Sequence, residues 1–224
     1  MRFIETIKNI WKIEDLRNRL LTTALFVLIY RFGSYVILPG VNPDALTALK
    51  GQTEGGLMAL LDMFSGGAFS NASIFALGIM PYISASIVVQ LLSIAVPYFQ
   101  KMQKEGESGR QKMNQITRYL TVAILLFQGP SYLFNLRAQI AAAVQSTPAL
   151  ANVEVPVIGF NGFTITATIL LAAGSMFVLW LGERITDRGV GNGISFIILI
   201  GIIARLPGAL IQEFSSRVYD AGGG

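Results

Sequence analysis

The acidic side chains are the first candidates for chemistry, and their positions argue against an active site. Asp62, Glu183 and Asp187 fall at the ends of apolar segments, and the interiors of those segments hold no Asp or Glu. Cysteine and histidine are both absent, which excludes thiol nucleophiles, His-ligated zinc and histidine-based triads in this sequence. Serines occur without a histidine or an intramembrane lysine to activate them. We therefore expect no catalytic residue, no metal site and no cofactor.

Arg31 is the one charge inside the first apolar segment. It lies about two turns from the outer end of that segment, so we expect its long side chain to extend to the membrane surface. The alternative is that Arg31 binds a polar group in a cavity, because a charge at bilayer depth marks a functional site when it has a partner. Arg205, near the end of the fifth apolar segment, has the same two interpretations.

Residues 189–193, GVGNG, superficially resemble a phosphate-binding loop. No strand is predicted before them and no lysine follows, and both are parts of that motif. Glycine permits positive φ and Asn192 suits a helix N-cap. The favoured interpretation is a tight turn that ends in a helix cap.

Residues 63–100 contain no charged side chain, and the run is roughly twice the length of about 20 residues that one membrane span needs. Its second part, residues 74–98, is continuously apolar, but its first part carries glycine and serine, which favour irregular backbone. Irregular backbone leaves amide and carbonyl groups unpaired, and such groups cannot face lipid. The run therefore predicts a short half-helix that dips between protein walls and leads into a full span.

Hydrophobic residues make up 53% of the chain and charged ones 13%, about half the share of charge in soluble proteins. The fold class that we predict is an all-α membrane protein. An amphipathic helix on residues 1–19 would lie on the membrane surface or on the protein's own loops. Five spans follow, at about residues 20–38, 74–98, 119–136, 163–182 and 193–211.

The lysines and arginines predict the direction of these spans. Twelve of the 17 fall before the first span or in the loops after the second and fourth, which favours a cytoplasmic N-terminus. Because the basic residues cluster beside apolar spans, the net charge of +4 does not indicate a nucleic-acid partner. Residues 212–224 would then lie on the outer side.

Two isoleucine pairs have helical spacing. Ile79 and Ile83 share one face of a helix, and so do Ile194 and Ile198. On the residues alone, packing or lipid contact is the favoured interpretation of both pairs.

Four stretches of the sequence strongly resemble the SecY family, the channel-forming subunits of the bacterial protein translocase. They are FSGGAFSNASIFALGIMPYISASIVVQLL (residues 64–92), KEGESGR (residues 104–110), WLGERITDRGVGNGIS (residues 180–195) and FGSYVILPGVN (residues 32–42). They occur in the family's order, and the resemblance covers essentially the whole chain.

The resemblance implies a fold of ten spans in two inverted halves around an hourglass pore. This chain resembles the first half, with five spans and a re-entrant plug. We expect the second half of SecY in a longer sequence or in a separate chain. The function implied is the pore subunit of the Sec translocon, which passes unfolded polypeptides and releases apolar segments into the membrane.

The resemblance also implies roles for particular residues. The plug would occupy about residues 57–71, with Gly66 and Gly67 as its hinge. Its named members are Leu57, Leu60, Leu61, Phe64, Ser65, Gly66, Gly67, Ala68 and Phe69. An apolar pore ring would include Ile79, Ile83, Ile194 and Ile198. The lateral gate toward lipid would be lined by Ser84, Ser86 and Gln90. Cytoplasmic loops that contact a partner would carry Lys104, Arg110, Arg184 and Arg188.

The implied partners are subunits resembling SecE and SecG, the SecA motor or the ribosome, a polypeptide that bears a signal sequence, and the lipid bilayer of the bacterial inner membrane. An inverted-repeat solute transporter is the alternative, since a broken membrane helix suits it equally. The lack of an acidic coupling residue within the spans counts against a transporter.

Overall fold

The computed structural model describes residues 12–41, 46, 62–146 and 162–221, and these residues are almost entirely helical. The six helices of the described residues are α1 (Glu14–Gly33), α2 (Met80–Ala95), α3 (Pro97–Lys104), α4 (Glu107–Ser146), α5 (Gly162–Arg188) and α6 (Gly193–Ala221). Residues 1–11 of the amphipathic helix predicted on residues 1–19, the plug members Leu57, Leu60 and Leu61, and residues 147–161 before α5 lie outside the described residues.

The class of all-α protein with apolar, membrane-length helices is confirmed. By length and composition, α4 and α5 are each able to cross a membrane, and α2 with α3 would make a third span if this pair, bent by 98°, is counted as one. The count of five crossings stays a prediction.

Several helix boundaries differ from those predicted. Helix α1 begins at Glu14, before residue 20, where the first predicted span begins, and ion pairs such as Arg19 to Asp15 join its successive turns. Helix α4 extends well beyond residues 119–136 at both ends and continues through Pro130. Helix α6 likewise continues through Pro207.

Helix α2 covers only the middle part of the second predicted span, residues 74–98. Residues 74–79 form turns, and α2 begins only at Met80, with Pro81 in its first turn, a position that suits proline's missing N–H. At the other end, Val96 adopts an extended conformation before Pro97, as residues that precede proline tend to do. The chain bends there by 98° into α3.

Helix α5 is the centre of the bundle. It packs against α1, α4 and α6, while α4 also packs against α2 and α3. Small residues on α5 allow neighbouring backbone to come close, as is common in membrane proteins. At Gly174, an added Cβ would lie 2.2 Å from the carbonyl oxygen of Ile74, so only glycine fits.

Residues 62–79, which we call the turn segment, lead into α2. Only residues 62–64 are helical, so the half-helix predicted to reach residue 71 is wrong for residues 65–71. The reason is the backbone: Gly66 and Gly67 have φ values of +65° and +91°, which are incompatible with a right-handed helix. A short bridge between Ile37 and Ser73 ties the segment to the end of α1.

Candidate functional site

A cavity of about 470 Å³ lies between the turn segment and three helices, and mostly apolar side chains line it. Phe64, Ser65 and Phe69 of the turn segment meet Ile83 of α2 and Ile198 of α6 there. These residues are far apart in the sequence. Residues predicted to belong to the plug and residues predicted to belong to the pore ring therefore line one cavity.

The four isoleucines of the predicted ring belong to one apolar cluster. Ile79 is buried, and Ile83, Ile194 and Ile198 are partly buried against the same core. The amide of Ile83 donates to the carbonyl of Ile79 at 3.1 Å, so this pair is one helical turn apart. The structure therefore places the pairs Ile79–Ile83 and Ile194–Ile198 side by side. Their role in closing a pore stays a prediction.

The start of α6 fixes the position of the second pair. The amide of Ser195 donates to Asn192 Oδ1 at 3.1 Å, and the amide of Gly193 donates to Thr186 Oγ1 at 2.8 Å. Gly191 has a φ of +73°. These contacts confirm the prediction of a tight turn with an asparagine cap at residues 189–193.

The turn segment is bound to α1 by two hydrogen bonds to its main chain. The hydroxyl of Tyr30 donates to the carbonyl of Ser65 at 3.1 Å, and Arg31 Nη1 donates to the carbonyl of Gly66 at 3.0 Å. The favoured prediction, that Arg31 extends to the membrane surface, is therefore wrong. Its side chain is partly buried because it has found a polar partner in the turn segment, which was the alternative interpretation.

A third hydrogen bond comes from α4. The hydroxyl of Tyr132 donates to the carbonyl of Phe69 at 2.9 Å, and the rings of Phe69 and Tyr132 meet edge to face with centroids 4.9 Å apart. Tyr132 is 6% exposed. The turn segment is thus held from two sides.

Within the turn segment, Asp62 and Ser65 order the local backbone. Asp62 is 2% exposed, and its Oδ1 accepts a hydrogen bond from the amide of Ser70 at 2.8 Å. Ser65 Oγ accepts from the amide of Phe69 at 3.0 Å and donates to the carbonyl of Asp62 at 3.1 Å. These bonds fold residues 62–70 into one compact unit.

The turn segment also touches α6 at backbone distance. A Cβ added to Gly201 would lie 3.0 Å from the carbonyl oxygen of Phe64 and 3.3 Å from the amide nitrogen of Gly66. Glycine on both sides of this contact leaves no side chain between the two backbones. At Gly201, the surface of α6 therefore leaves room for the main chain of the turn segment but not for an additional side chain.

A second cavity, of about 540 Å³, lies where α2, α3 and the start of α4 meet. Its wall includes Ser86 and Gln90, two residues predicted to line a lateral gate, and Arg110, predicted to lie in a partner-binding loop. Gln90 Nε2 donates to Ser86 Oγ at 3.2 Å. Ser84 lies on the exposed side of α2, and its hydroxyl donates to the carbonyl of Met80.

The basic residues predicted to bind a cytoplasmic partner collect at one end of the bundle. Lys104, Arg110 and Arg188 are exposed. Arg184 is partly buried, with its guanidinium carbon 5.5 Å from the centre of the Trp180 ring. Nearby, Arg118 of α4 pairs with Glu183 of α5 at 2.6 Å. No contact among the described residues tests whether a partner binds at this end.

Four residues hold the turn segment in place in a way that was not predicted from the sequence, namely Tyr30, Asp62, Tyr132 and Gly201. For the two tyrosines, the sequence offered one signal: each lies in an apolar run, and a buried tyrosine hydroxyl usually has a hydrogen-bond partner. Nothing in the sequence indicated that both hydroxyls would reach the same segment.

Comparisons with known proteins identify the family to which the chain is similar. The family model described as SecY matches residues 73–222. Among curated proteins, the chain is 46% identical to protein translocase subunit SecY of Pseudomonas aeruginosa over 91% of the chain and 43% of that relative. It is 43% identical to protein translocase subunit SecY of Aquifex aeolicus over 94% of the chain and 47% of the relative. With protein translocase subunit SecY of Escherichia coli (strain K12), the identity is 45% over 88% of the chain and 42% of the relative. The chain therefore spans a little less than half the length of these relatives.

Proposed function

The chain belongs to the SecY family, and on that premise we propose that it forms the first half of the pore of a Sec protein translocase. In this proposal the pore passes unfolded polypeptides through the membrane and releases apolar segments sideways into lipid. The second half of the pore is supplied by the remainder of a SecY chain.

The observation that carries the proposal is the shared cavity. Aromatic side chains of the turn segment and three of the four clustered isoleucines, namely Ile79, Ile83 and Ile198, line one mostly apolar space. Such a constriction holds back ions because water leaves a narrow apolar passage. Contacts with branched apolar side chains do not select for the sequence of the transported polypeptide. A plug of irregular backbone next to such a ring suits a pore that must be closed when no polypeptide is being transported.

We propose that residues 57–71 are the plug and that Ile79, Ile83, Ile194 and Ile198 are one half of the pore ring. Ser84, Ser86 and Gln90 would face the lateral gate. The exposed apolar side of α2, with Ile87, Val88 and Leu91, supports this assignment, since such a surface needs lipid or protein against it.

The partners are also part of the proposal. Subunits resembling SecE and SecG would complete the complex in the bacterial inner membrane, and the SecA motor or the ribosome would bind on the cytoplasmic side. Exposed basic residues at the α3–α4 turn and at the end of α5 support a cytoplasmic placement of that end. The N-terminus would then be cytoplasmic.

Photo-crosslinking in native membranes tests the proposal. A photoreactive residue replaces Ile83, and a secretory polypeptide is arrested partway through the membrane. The control is the same residue in place of Ile169, an isoleucine of α5 that is 58% exposed. We expect a crosslink to the arrested polypeptide from position 83 and none from position 169. Equal crosslinking from both positions, or none from position 83, would overturn the proposal.

A further inference from the structure

Three hydrogen-bond donors on two helices converge on the main chain of the turn segment. Tyr30 and Arg31 are consecutive on α1 and bind the carbonyls of the consecutive residues Ser65 and Gly66. Tyr132 on α4 binds the carbonyl of Phe69. All three acceptors are backbone oxygens, so these contacts do not depend on which side chains the turn segment carries.

The turn segment also makes backbone bonds of its own, and the carbonyls of Ser65 and Phe69 each accept one, from the amide of Ala68 at 3.3 Å and the amide of Ala72 at 3.2 Å. Its internal backbone bonds are those of turns, such as the amide of Gly67 to the carbonyl of Asp62 at 2.9 Å. A carbonyl oxygen has two lone pairs, so each tyrosine hydroxyl adds a second bond to its carbonyl, and Arg31 donates to the carbonyl of Gly66. When the segment moves into water, its carbonyls bind water instead. The three side-chain donors therefore stabilise the docked position specifically.

Arg31 is itself held in place for this contact. Its Nη2 donates to the hydroxyl of Tyr35 at 3.2 Å, and its guanidinium carbon lies 5.6 Å from the centre of the Tyr35 ring. A charged donor makes a stronger hydrogen bond than a neutral one. Arg31 therefore contributes more to the docked position than either tyrosine.

We propose that Tyr30, Arg31 and Tyr132 form a latch, which holds residues 62–71 of the turn segment against the pore by their main chain and releases these residues as one unit when a polypeptide enters. The latch rests on the proposed function only in assigning residues 62–71 to the plug. The three are positioning residues, and none is expected to contact the transported chain in the idle state.

Cysteine labelling measures the release directly. The 224 residues contain no cysteine, and Ser70 is 8% exposed, so a Ser70→Cys reporter is near-isosteric and buried while the segment is docked. The probe is a membrane-impermeant maleimide added to the outer side of cells that express the full translocase. Each latch variant is labelled alongside the parent that carries the reporter alone.

Tyr30→Phe and Tyr132→Phe remove one hydroxyl each and keep the packed ring. We expect each to raise the labelling rate roughly 2- to 10-fold, since one neutral hydrogen bond is lost. Arg31→Gln should raise it about tenfold or more, and Arg31→Lys, which keeps a charged donor, should restore much of the protection. Two matched controls should label at the parent rate: Tyr119→Phe, on an exposed face of α4, and Arg19→Gln, on the exposed part of α1.

The outcomes separate the latch from the proposed function. Unchanged labelling in both tyrosine variants overturns the latch, whatever happens to crosslinking at Ile83. Labelling that rises in the latch variants and not in the controls supports the latch, even where the crosslinking experiment fails and the proposed function falls. An Arg31→Gln chain that does not accumulate leaves the decision to the two tyrosine variants, which retain their packing.

Discussion

The turn segment and helix α5 lie side by side in the protein interior but satisfy their backbones in different ways. Helix α5 supplies its own hydrogen bonds, and even its threonine hydroxyls donate within the helix, as Thr168 does to the carbonyl of Thr164. Three carbonyls of the turn segment accept hydrogen bonds from side chains of α1 and α4. In the latch that we propose, residues 62–71 leave as one unit when these bonds break, whereas α5 would have to break its helix.

The difference also explains why two kinds of glycine occur. Gly174 on α5 lets the rigid helix approach the backbone of Ile74. Gly66 and Gly67 instead give the turn segment a backbone shape that other residues rarely adopt. One glycine fixes the contact between the two regions, and the others give the turn segment its fold.

The largest effect on stability is expected where the two regions touch. Gly174→Ala would place a methyl group 2.2 Å from the carbonyl oxygen of Ile74. We expect a loss of about 1–3 kcal/mol in the free energy of unfolding, because overpacking forces the backbone to shift. Thermal unfolding in detergent measures this loss.

Gly162→Ala is the matched control, since an added Cβ at this position of the same helix meets nothing within 4 Å. It should change stability by less than about 0.5 kcal/mol. If the two alanine variants are equally stable, α5 and the turn segment are not in the close contact described.

A smaller effect is expected inside the turn segment. Ser65→Ala removes the acceptor of the Phe69 amide and the donor to the Asp62 carbonyl. The Asp62 carbonyl keeps its bond from the amide of Gly67 at 2.9 Å, so the group that loses its partner is the partly buried amide of Phe69. We expect a cost at the low end of the roughly 1–3 kcal/mol that an unpaired buried group carries. We expect amide hydrogen exchange in residues 65–70 to quicken by about tenfold or more, with little change in α5, as measured by mass spectrometry.

The smallest effect is expected for the corresponding change in α5. Thr168→Val replaces a buried hydroxyl by a methyl group of nearly the same size. The carbonyl of Thr164, which loses this donor, belongs to a continuous helix. Hydroxyls that bond back to the preceding turn contribute little to helix stability. Exchange in α5 should change less than about threefold. Equal loss of protection in the two variants would contradict the distinction between the regions.

Sequence reasoning predicted the features that depend on local pattern. The all-α class follows from apolar runs of membrane length, and the cap at Asn192 follows from glycine and asparagine at adjacent positions. The face shared by Ile194 and Ile198 follows from helical periodicity. Each of these features belongs to a single helix or turn, so the sequence of that helix or turn is sufficient to predict it.

The missed features depend on which elements become neighbours. Arg31 has a local partner in Tyr35, four residues along the chain, but its contact with the carbonyl of Gly66 exists only because the turn segment docks beside α1. The turns at residues 74–79 have an apolar sequence that fits a helix equally well. Their conformation is set by the bridge to Ile37 and the close packing on Gly174. The sequence pattern of one helix or turn does not predict which other segment it will contact.

The resting ion conductance of the reconstituted translocase tests the central claim, that the clustered isoleucines beside the turn segment close the pore. Ile79, Ile83, Ile194 and Ile198 are replaced together by glycine. The control replaces four exposed isoleucines by glycine, namely Ile165, Ile169, Ile203 and Ile211, so that the two variants carry the same number of substitutions. We predict a clear rise in resting conductance for the first variant and none for the second. Equal conductance in the two variants and the parent would contradict the claim.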